Sequence, residues 1–104
     1  MVTELYNDLE ILENRVLEES KYKDTLTLLA DYYNMLSTNN VKAARFNEDT
    51  MTFILKKSNG TVTVFFDIVE GYVIKGPYRD TTVAYITGNS YLDMMTLYRK
   101  IEEL

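Results

Sequence analysis

The sequence contains no cysteine and no histidine. The first absence excludes disulfides and thiolate ligands, and the second removes the commonest acid–base group near neutral pH and the commonest metal ligand. Structural zinc, haem, iron–sulfur clusters and Ser–His or Cys–His catalysis are therefore excluded for this chain alone. We expect no catalytic residue, no metal site and no cofactor, because only carboxylates, lysine, tyrosine and arginine remain for chemistry.

Proline and glycine are scarce as well, with one proline and four glycines in 104 residues, which argues against long linkers. The length suits one domain, residues 1–104, and an apolar content of 46% is normal for a globular protein. No stretch approaches the roughly 20 apolar residues that span a bilayer, and the acidic N-terminus does not resemble a secretory signal. We expect a cytoplasmic protein with no membrane partner.

Positive charge is scarce at the start of the chain. Residues 1–20 hold six acids against Arg15 alone, a balance of −5, whereas residues 21–104 hold ten acids and ten bases. The six acids are Glu4, Asp8, Glu10, Glu13, Glu18 and Glu19. Because phosphate contacts need a positive surface, we expect no direct nucleic-acid binding. The segment either mimics nucleic-acid phosphates or is a solvated helix face, and the second interpretation is favoured because the acids flank both sides of its apolar stripe.

Apolar spacing predicts helices in the first 37 residues. One stripe recurs at intervals of four, three and four residues: Leu5, Leu9, Leu12 and Val16. A second stripe, out of phase with the first, follows it: Tyr22, Leu26, Leu29, Tyr33 and Leu36. The change of phase predicts a break within residues 18–24, and hence two helices, at 4–19 and 24–37, forming a hairpin or a sharply kinked pair.

From Val41 onward the apolar period changes to two, which is typical of β-strands. Strands are predicted at 42–47, 50–57, 61–69, 72–75 and 82–87. A capping box of Ser90 with Asp93 then begins a final helix at 91–103. The predicted fold class is α+β: an antiparallel β-meander of four to five strands, with an N-terminal helical hairpin (or kinked helix) and a C-terminal helix.

Asn59-Gly60 lies between two β-rich runs, which is typical of a two-residue type I′ turn. That turn sets a register in which Leu55 lies opposite Val64 and Phe53 lies opposite Phe66, all on one face of the sheet. Matched apolar pairs of this kind support the hairpin.

The same register places Ile54 and Phe65 on the second face of the sheet. If Glu70-Gly71 is also a two-residue turn, an apolar patch forms there: Ile54, Phe65, Val69, Tyr72 and Ile74. Either a helix covers this patch, or it is a surface for a protein partner or a second copy. A bulge at Glu70-Gly71 would flip the parity of the fourth strand and shrink the patch.

Tyrosine is abundant, with nine residues and no tryptophan, and tyrosine is enriched at interfaces. Tyr32 and Tyr33 point about 100° apart on a helix, so Tyr32 is a candidate contact residue beside a core Tyr33. Tyr78 and Arg79, near Gly76-Pro77, are candidate contacts for an anion or RNA, together with Lys75, Lys56 and Lys57. The alternative interpretation is that these are strand-end charges that deter edge pairing.

The first hypothesis for function is a non-catalytic protein-binding module. Its narrower form is a small acidic inhibitor or regulator, of viral or mobile-element type, of a host nucleic-acid-processing enzyme. A second hypothesis is a self-assembling structural protein that forms a homodimer or a larger oligomer. A third is a small carboxylate-based enzyme that uses Asp67, Glu70 or the Glu48-Asp49 pair.

Overall fold

The computed structural model describes residues 2–36, 40–84 and 86–104, with side chains described from residue 19 onward. Helices and strands follow in this order: α1 Val2–Leu36, β1 Val41–Asn47, β2 Thr52–Lys57, β3 Gly60–Asp67, β4 Gly71–Lys75, β5 Asp80–Val83 and α2 Ser90–Glu102. The strands form one antiparallel sheet in the order β1-β2-β3-β4-β5. The predicted α+β class, with an antiparallel meander between N-terminal and C-terminal helices, is confirmed.

The predicted N-terminal hairpin is not confirmed, because α1 is one continuous helix of 35 residues. Residues 18–24 contain neither proline nor glycine, which are the residues that usually break or kink a helix. Among the described side chains of α1, those of the second stripe from Tyr22 to Tyr33 face the rest of the protein. Tyr22 packs against the core, and Leu26, Leu29 and Tyr33 are buried within it.

Each strand has at least one boundary that differs from the predicted one, and β2 and β5 show the causes. Strand β2 begins at Thr52 and not at residue 50, since the preceding turn continues to Met51, which has a positive φ of 53°. Strand β5 spans Asp80–Val83 and not 82–87. A hydrogen bond from Gly76 N to Arg79 O closes the preceding loop, so Asp80 can already pair with Lys75.

The β2–β3 turn has a different register from the predicted one. Its two turn residues are Ser58 and Asn59, and Gly60 pairs with Lys57 as the first residue of β3. The positive φ is at Gly60, at 140°, where a Cβ atom would lie 2.6 Å from Pro77 Cβ. The whole register is shifted by two residues, so the predicted pairs are wrong. Each residue of β2 and β3 nevertheless stays on its predicted face of the sheet, because side chains alternate between the two faces and a register shift of two residues preserves this alternation.

The β3–β4 turn places the side chains of β4 on the opposite faces of the sheet from those predicted. It contains three residues, Ile68 to Glu70, between the paired Asp67 and Gly71. Tyr72 and Ile74 are therefore on the helix-covered face, with exposed fractions of 1% and 0%. Their predicted place in the second-face patch is wrong: the parity of β4 is flipped, by a three-residue turn and not by the bulge considered at Glu70-Gly71.

The start of α2 is held by two side chains on either side of the predicted cap. Asn89 is the N-cap, and its Oδ1 accepts hydrogen bonds from Tyr91 N and Leu92 N, both at 3.1 Å. The buried Asp93 accepts from Thr87 N at 3.0 Å, Thr87 Oγ1 at 2.8 Å and Gly88 N at 3.3 Å. The predicted Ser90 cap is therefore wrong, although Asp93 does hold the helix start.

Candidate functional site: the open face of the sheet

Both helices lie on one side of the sheet. The core cluster joins Leu26 and Leu29 of α1 and Leu97 of α2 to alternate sheet residues such as Phe53 and Ile74. Val73 is buried but belongs to the other side and lies outside this cluster. Within the part of the chain that the structure describes, the second side of the sheet has no helix over it, and we call it the open face.

Three apolar side chains occupy the centre of the open face: Ile54 on β2, Phe65 on β3 and Val73 on β4. Phe65 pairs directly with Val73 and also with Thr52. Ile54 and Phe65 are half-buried by their neighbours alone. The patch is therefore smaller than the predicted one, and it is centred on the ring of Phe65.

Threonines and charged residues surround this centre. The residues paired across the strands next to it are Arg45, Thr52, Thr63, Lys75, Asp80 and Thr82. Lys75 Nζ lies 5.8 Å from the centroid of the Phe65 ring, within the range of a cation–π interaction. Such a layout, with an aromatic centre and a polar, charged rim, is typical of protein interfaces.

The structure separates the predicted contact residues of the patch. Ile54 and Phe65 are on the open face, whereas Tyr72 and Ile74 are in the core. Val69 is 86% exposed, but it lies in the β3–β4 turn at the end of the sheet. Sequence reasoning missed Val73, because the assumed two-residue turn placed it on the covered side.

Tyr32, Tyr78 and Arg79 lie away from the open face. Tyr32 packs edge-on against Tyr98 of α2, with ring centroids 4.9 Å apart. Tyr78 is 81% exposed in the β4–β5 loop, where its hydroxyl donates to Asn59 O at 3.4 Å. Arg79 donates from Nη2 to Glu103 O at 2.9 Å. The structure therefore does not bring these residues together with Ile54 and Phe65.

A small cleft of about 110 Å³ lies beside Tyr78 and Arg79. Lys57 also lines the cleft, as expected for a cationic site, but Glu102 lies there too and forms an ion pair with Lys57 at 3.4 Å. Lys75, which was expected to contribute, is on the open face. The cleft therefore lacks the concentrated positive charge that the anion or RNA hypothesis needs.

Among the predicted acidic residues, Glu19 is exposed on α1. The side chains of Glu4, Asp8, Glu10, Glu13 and Glu18 lie outside the described residues, although their backbone belongs to α1. The choice between a phosphate mimic and a solvated face is thus not tested by the described side chains.

The carboxylates considered for catalysis lie at two turns of the sheet, with Glu48 and Asp49 between β1 and β2, and Asp67 and Glu70 at the β3–β4 turn. Glu48 forms an exposed ion pair with Lys23 at 3.3 Å. Asp67 accepts a hydrogen bond from Val69 N at 2.9 Å, which is a local turn interaction. Among the described residues, no three acidic side chains come close enough to hold a metal ion.

A buried polar group links the two helices to the sheet. Tyr33 Oη donates to Glu102 Oε2 at 2.9 Å, and Lys57 Nζ lies 3.4 Å from the same oxygen. Burial raises the pKa of the Tyr33 hydroxyl far above its ordinary value, and the hydrogen bond to Glu102 adds to this effect. Tyr33 therefore holds its proton and acts as a fixed donor that ties α1 to α2.

No helix in the described part of the chain has the length and apolar content needed to cross a membrane. Comparison of the sequence and structure with protein-family models, with curated proteins and with solved structures finds no match. Function must therefore be argued from the surface itself.

Proposed function

We propose that this chain is a non-catalytic protein-binding module whose contact surface is the open face. The observation that supports the proposal is the position of Ile54, Phe65 and Val73 on three adjacent strands: Val73 pairs with Phe65, Ile54 lies diagonal to it, and no described helix lies over them. Sheets with apolar residues on both faces usually bury both, either within the fold or against a partner. Within the described residues the fold supplies no helix to cover the open face, so we propose that a protein partner covers it.

The open face also has the composition of an interface. One aromatic side chain lies at its centre, and truncation of such a central residue often costs a complex about 2 kcal/mol or more. The surrounding threonines can form hydrogen bonds with a partner, and Arg45 and Lys75 can select its charge. We expect Phe65 to dominate the affinity, with the cations contributing mainly to specificity and association rate.

A photo-crosslinking amino acid at position 54 tests this proposal in the native host. We expect adducts with one partner, identified by mass spectrometry, that disappear when Phe65→Glu is added. The matched control is the crosslinker at Leu92, an exposed apolar residue on α2, which should give no such adduct. Equal adducts from both positions, or none from position 54, would refute the open face as the contact surface.

A purified partner then allows a quantitative test by calorimetry. Phe65→Glu should weaken binding at least tenfold, whereas Leu92→Glu should leave it unchanged. Circular dichroism of both variants separates loss of binding from loss of folding. Unchanged affinity for a folded Phe65→Glu variant would contradict the proposal.

The charge of residues 1–20 supports a narrower form of the proposal. A balance of −5 complements a basic groove, such as that of a nucleic-acid-processing enzyme, which the chain would inhibit or regulate. In that case the adducts should map to such an enzyme, and binding should weaken steeply with salt. A salt-independent affinity would contradict this narrower form and leave the module itself in place.

A further inference from the structure

Charges of opposite sign lie at the two edges of the open face. The strand pairing places one row of side chains straight across the sheet, one from each strand: Arg45, Ile54, Thr63, Lys75 and Asp80. Arg45 on β1 and Asp80 on β5 are both exposed, and four strand spacings separate them by about 19 Å. Lys75 is next to Asp80 in this row, but its Nζ lies over the Phe65 ring. Among the described residues, neither Arg45 nor Asp80 forms an ion pair.

The next row along the strands is uncharged and has an apolar centre. It consists of Asn47, Thr52, Phe65, Val73 and Thr82. Phe65 is on β3, which is the middle strand of the five. The open face therefore has an aromatic ring on its midline, a cation at one edge and an anion at the other.

A face with this layout is complementary to a copy of itself. When two such sheets face each other across a two-fold axis that runs along β3, β1 of each copy lies over β5 of the other. Arg45 of each copy then meets Asp80 of the other, which gives two identical pairs of opposite charge. We propose that this chain forms a homodimer through its open face, with the two sheets stacked about 10 Å apart as in a β-sandwich.

The apolar residues also find partners in this arrangement. The two Phe65 rings meet at the axis, where aromatic side chains can pack against each other. Ile54 of each copy lies opposite Lys75 of the other, whose aliphatic stem can cover it while the ammonium group stays in water. Both helices lie on the other side of each sheet, so no described helix obstructs the approach.

The remaining charged residues of the open face lie towards the ends of its strands. Lys56 is exposed on β2. Asp67 ends β3, and its Oδ1 accepts a hydrogen bond from Val69 N at 2.9 Å. In the dimer Asp67 faces its own copy near the axis, which lowers the affinity by the small amount typical of solvated charges.

The size of the face determines how strong the dimer can be. The strands contain four to eight residues each, and at about 3.3 Å per residue and about 4.8 Å per strand they cover about 500 Å². Two copies therefore bury about 1,000 Å² in total, which is at the lower limit for a specific interface. We expect a dimer that dissociates on dilution.

This inference rests on the proposed function, since it uses the open face as the contact surface and names a second copy as the partner. Light scattering should show the mass rising from 12.1 kDa towards twice that value between about 10 μM and about 1 mM. Arg45→Glu and Asp80→Arg each create two like-charge contacts, so each should raise the dissociation constant of the dimer at least about tenfold.

An equal mixture of these two variants provides the decisive measurement. In the mixed dimer the introduced glutamate faces the introduced arginine, and the native Asp80 of one variant faces the native Arg45 of the other. Both contacts are again between opposite charges, so the mixture should associate about as tightly as the unmodified chain. The matched control is Arg99→Glu, the same change at an exposed position of α2, which should leave the dimer unchanged. Circular dichroism should show all three variants folded.

Two results would overturn the inference. A monomer at about 1 mM would exclude a second copy as the partner, because an interface of this size should associate by then. A dimer that both single variants leave intact, or that their mixture does not restore, would exclude the contact between Arg45 and Asp80. In either case, adducts from position 54 with a different protein would keep the open face as a binding surface, and the absence of any adduct would remove the proposed function as well.

Discussion

The two faces of the sheet are made from alternate residues of the same strands, yet their environments differ completely. On the covered face, Ile74 has no exposed surface and lies in the core cluster with α1 and α2. On the open face, Ile54 is only half-buried and is flanked by Arg45 and Thr63. For these two isoleucines, strand parity and not the hydrophobicity of the side chain decides which one is buried in the core and which one is left partly exposed.

The largest expected effect comes from replacing matched isoleucines on the two faces. Ile74→Ala removes buried methyl and methylene groups and leaves a cavity, so we expect the free energy of unfolding to fall by about 2–5 kcal/mol. Ile54→Ala should lower it by only about 1 kcal/mol, the range of strand propensity. Urea denaturation of the isolated chain measures both values.

The isoleucine pair also tests whether the open face is open in the free protein. Ile54→Ala is measured at low concentration, where a partner cannot cover the face. Equal losses for the two variants would contradict the comparison, because they would mean that position 54 is as well packed as position 74.

A smaller effect is expected at Asp93, which holds the start of α2 over the covered face. Asp93→Ala leaves Thr87 N and Gly88 N without their carboxylate acceptor, which should lower the free energy of unfolding by about 2 kcal/mol. Asp93→Asn is the matched control, since its amide oxygen can still accept one of these bonds and should restore part of the loss. Thermal unfolding measures both variants, and equal stability of Asp93→Ala and the unmodified chain would contradict the assignment.

The fold class was predictable because it depends on the period of apolar residues, which the chain shows clearly. The change from period 3.6 to period 2 at Val41 separates α1 from β1. The hairpin at Ser58-Asn59 was predictable in place but not in register, since Gly60 takes the positive φ after the turn and not within it. Position 60 requires glycine because of its contact with Pro77, and this tertiary contact cannot be predicted from the local propensity of a turn.

The candidate site was predictable only in part for a similar reason. The predicted face of Ile54 and Phe65 depends on the register of the β2–β3 turn, and an error of two residues in that register leaves both side chains on the same face of the sheet. The face of Val73 depends on the β3–β4 turn, and because that turn has three residues and not two, every side chain of β4 lies on the opposite face from the predicted one. In α1 the two apolar stripes predicted a break, but the helix is continuous, because a change in the phase of apolar residues does not by itself interrupt the backbone hydrogen bonds of a helix.

The hydroxyl of Tyr33 provides a third test on the covered side. Tyr33→Phe removes its hydrogen bond to Glu102, which keeps Lys57 and water as partners, so we expect a loss of about 1 kcal/mol. Denaturation at pH 7 measures this loss. A loss close to zero would show that the hydroxyl only fills space between α1 and α2.

The same variant has a characteristic pH dependence. Because the pKa of Tyr33 is raised in the folded protein above its ordinary value of 10.0, the unfolded chain loses this proton first as the pH rises. Stability from this group is therefore fully present below pH 10 and falls above it, by up to about 1.4 kcal/mol per pH unit. The stability of Tyr33→Phe should fall less steeply between pH 10 and 11, and identical slopes would contradict the assignment.

The smallest expected effect is on the open face, at the contact between Lys75 and Phe65. Lys75→Met keeps most of the side-chain volume and removes the charge over the ring, which should cost about 0.5 kcal/mol because the site is exposed. Lys56→Met is the matched control, on the same face but without a described aromatic contact, and should be neutral within error. A double-mutant cycle with Phe65→Leu isolates the interaction. A coupling well above 1 kcal/mol would mean that Lys75 and Phe65 already form a desolvated pair in the free chain. A partner could then bury little further area at this part of the open face.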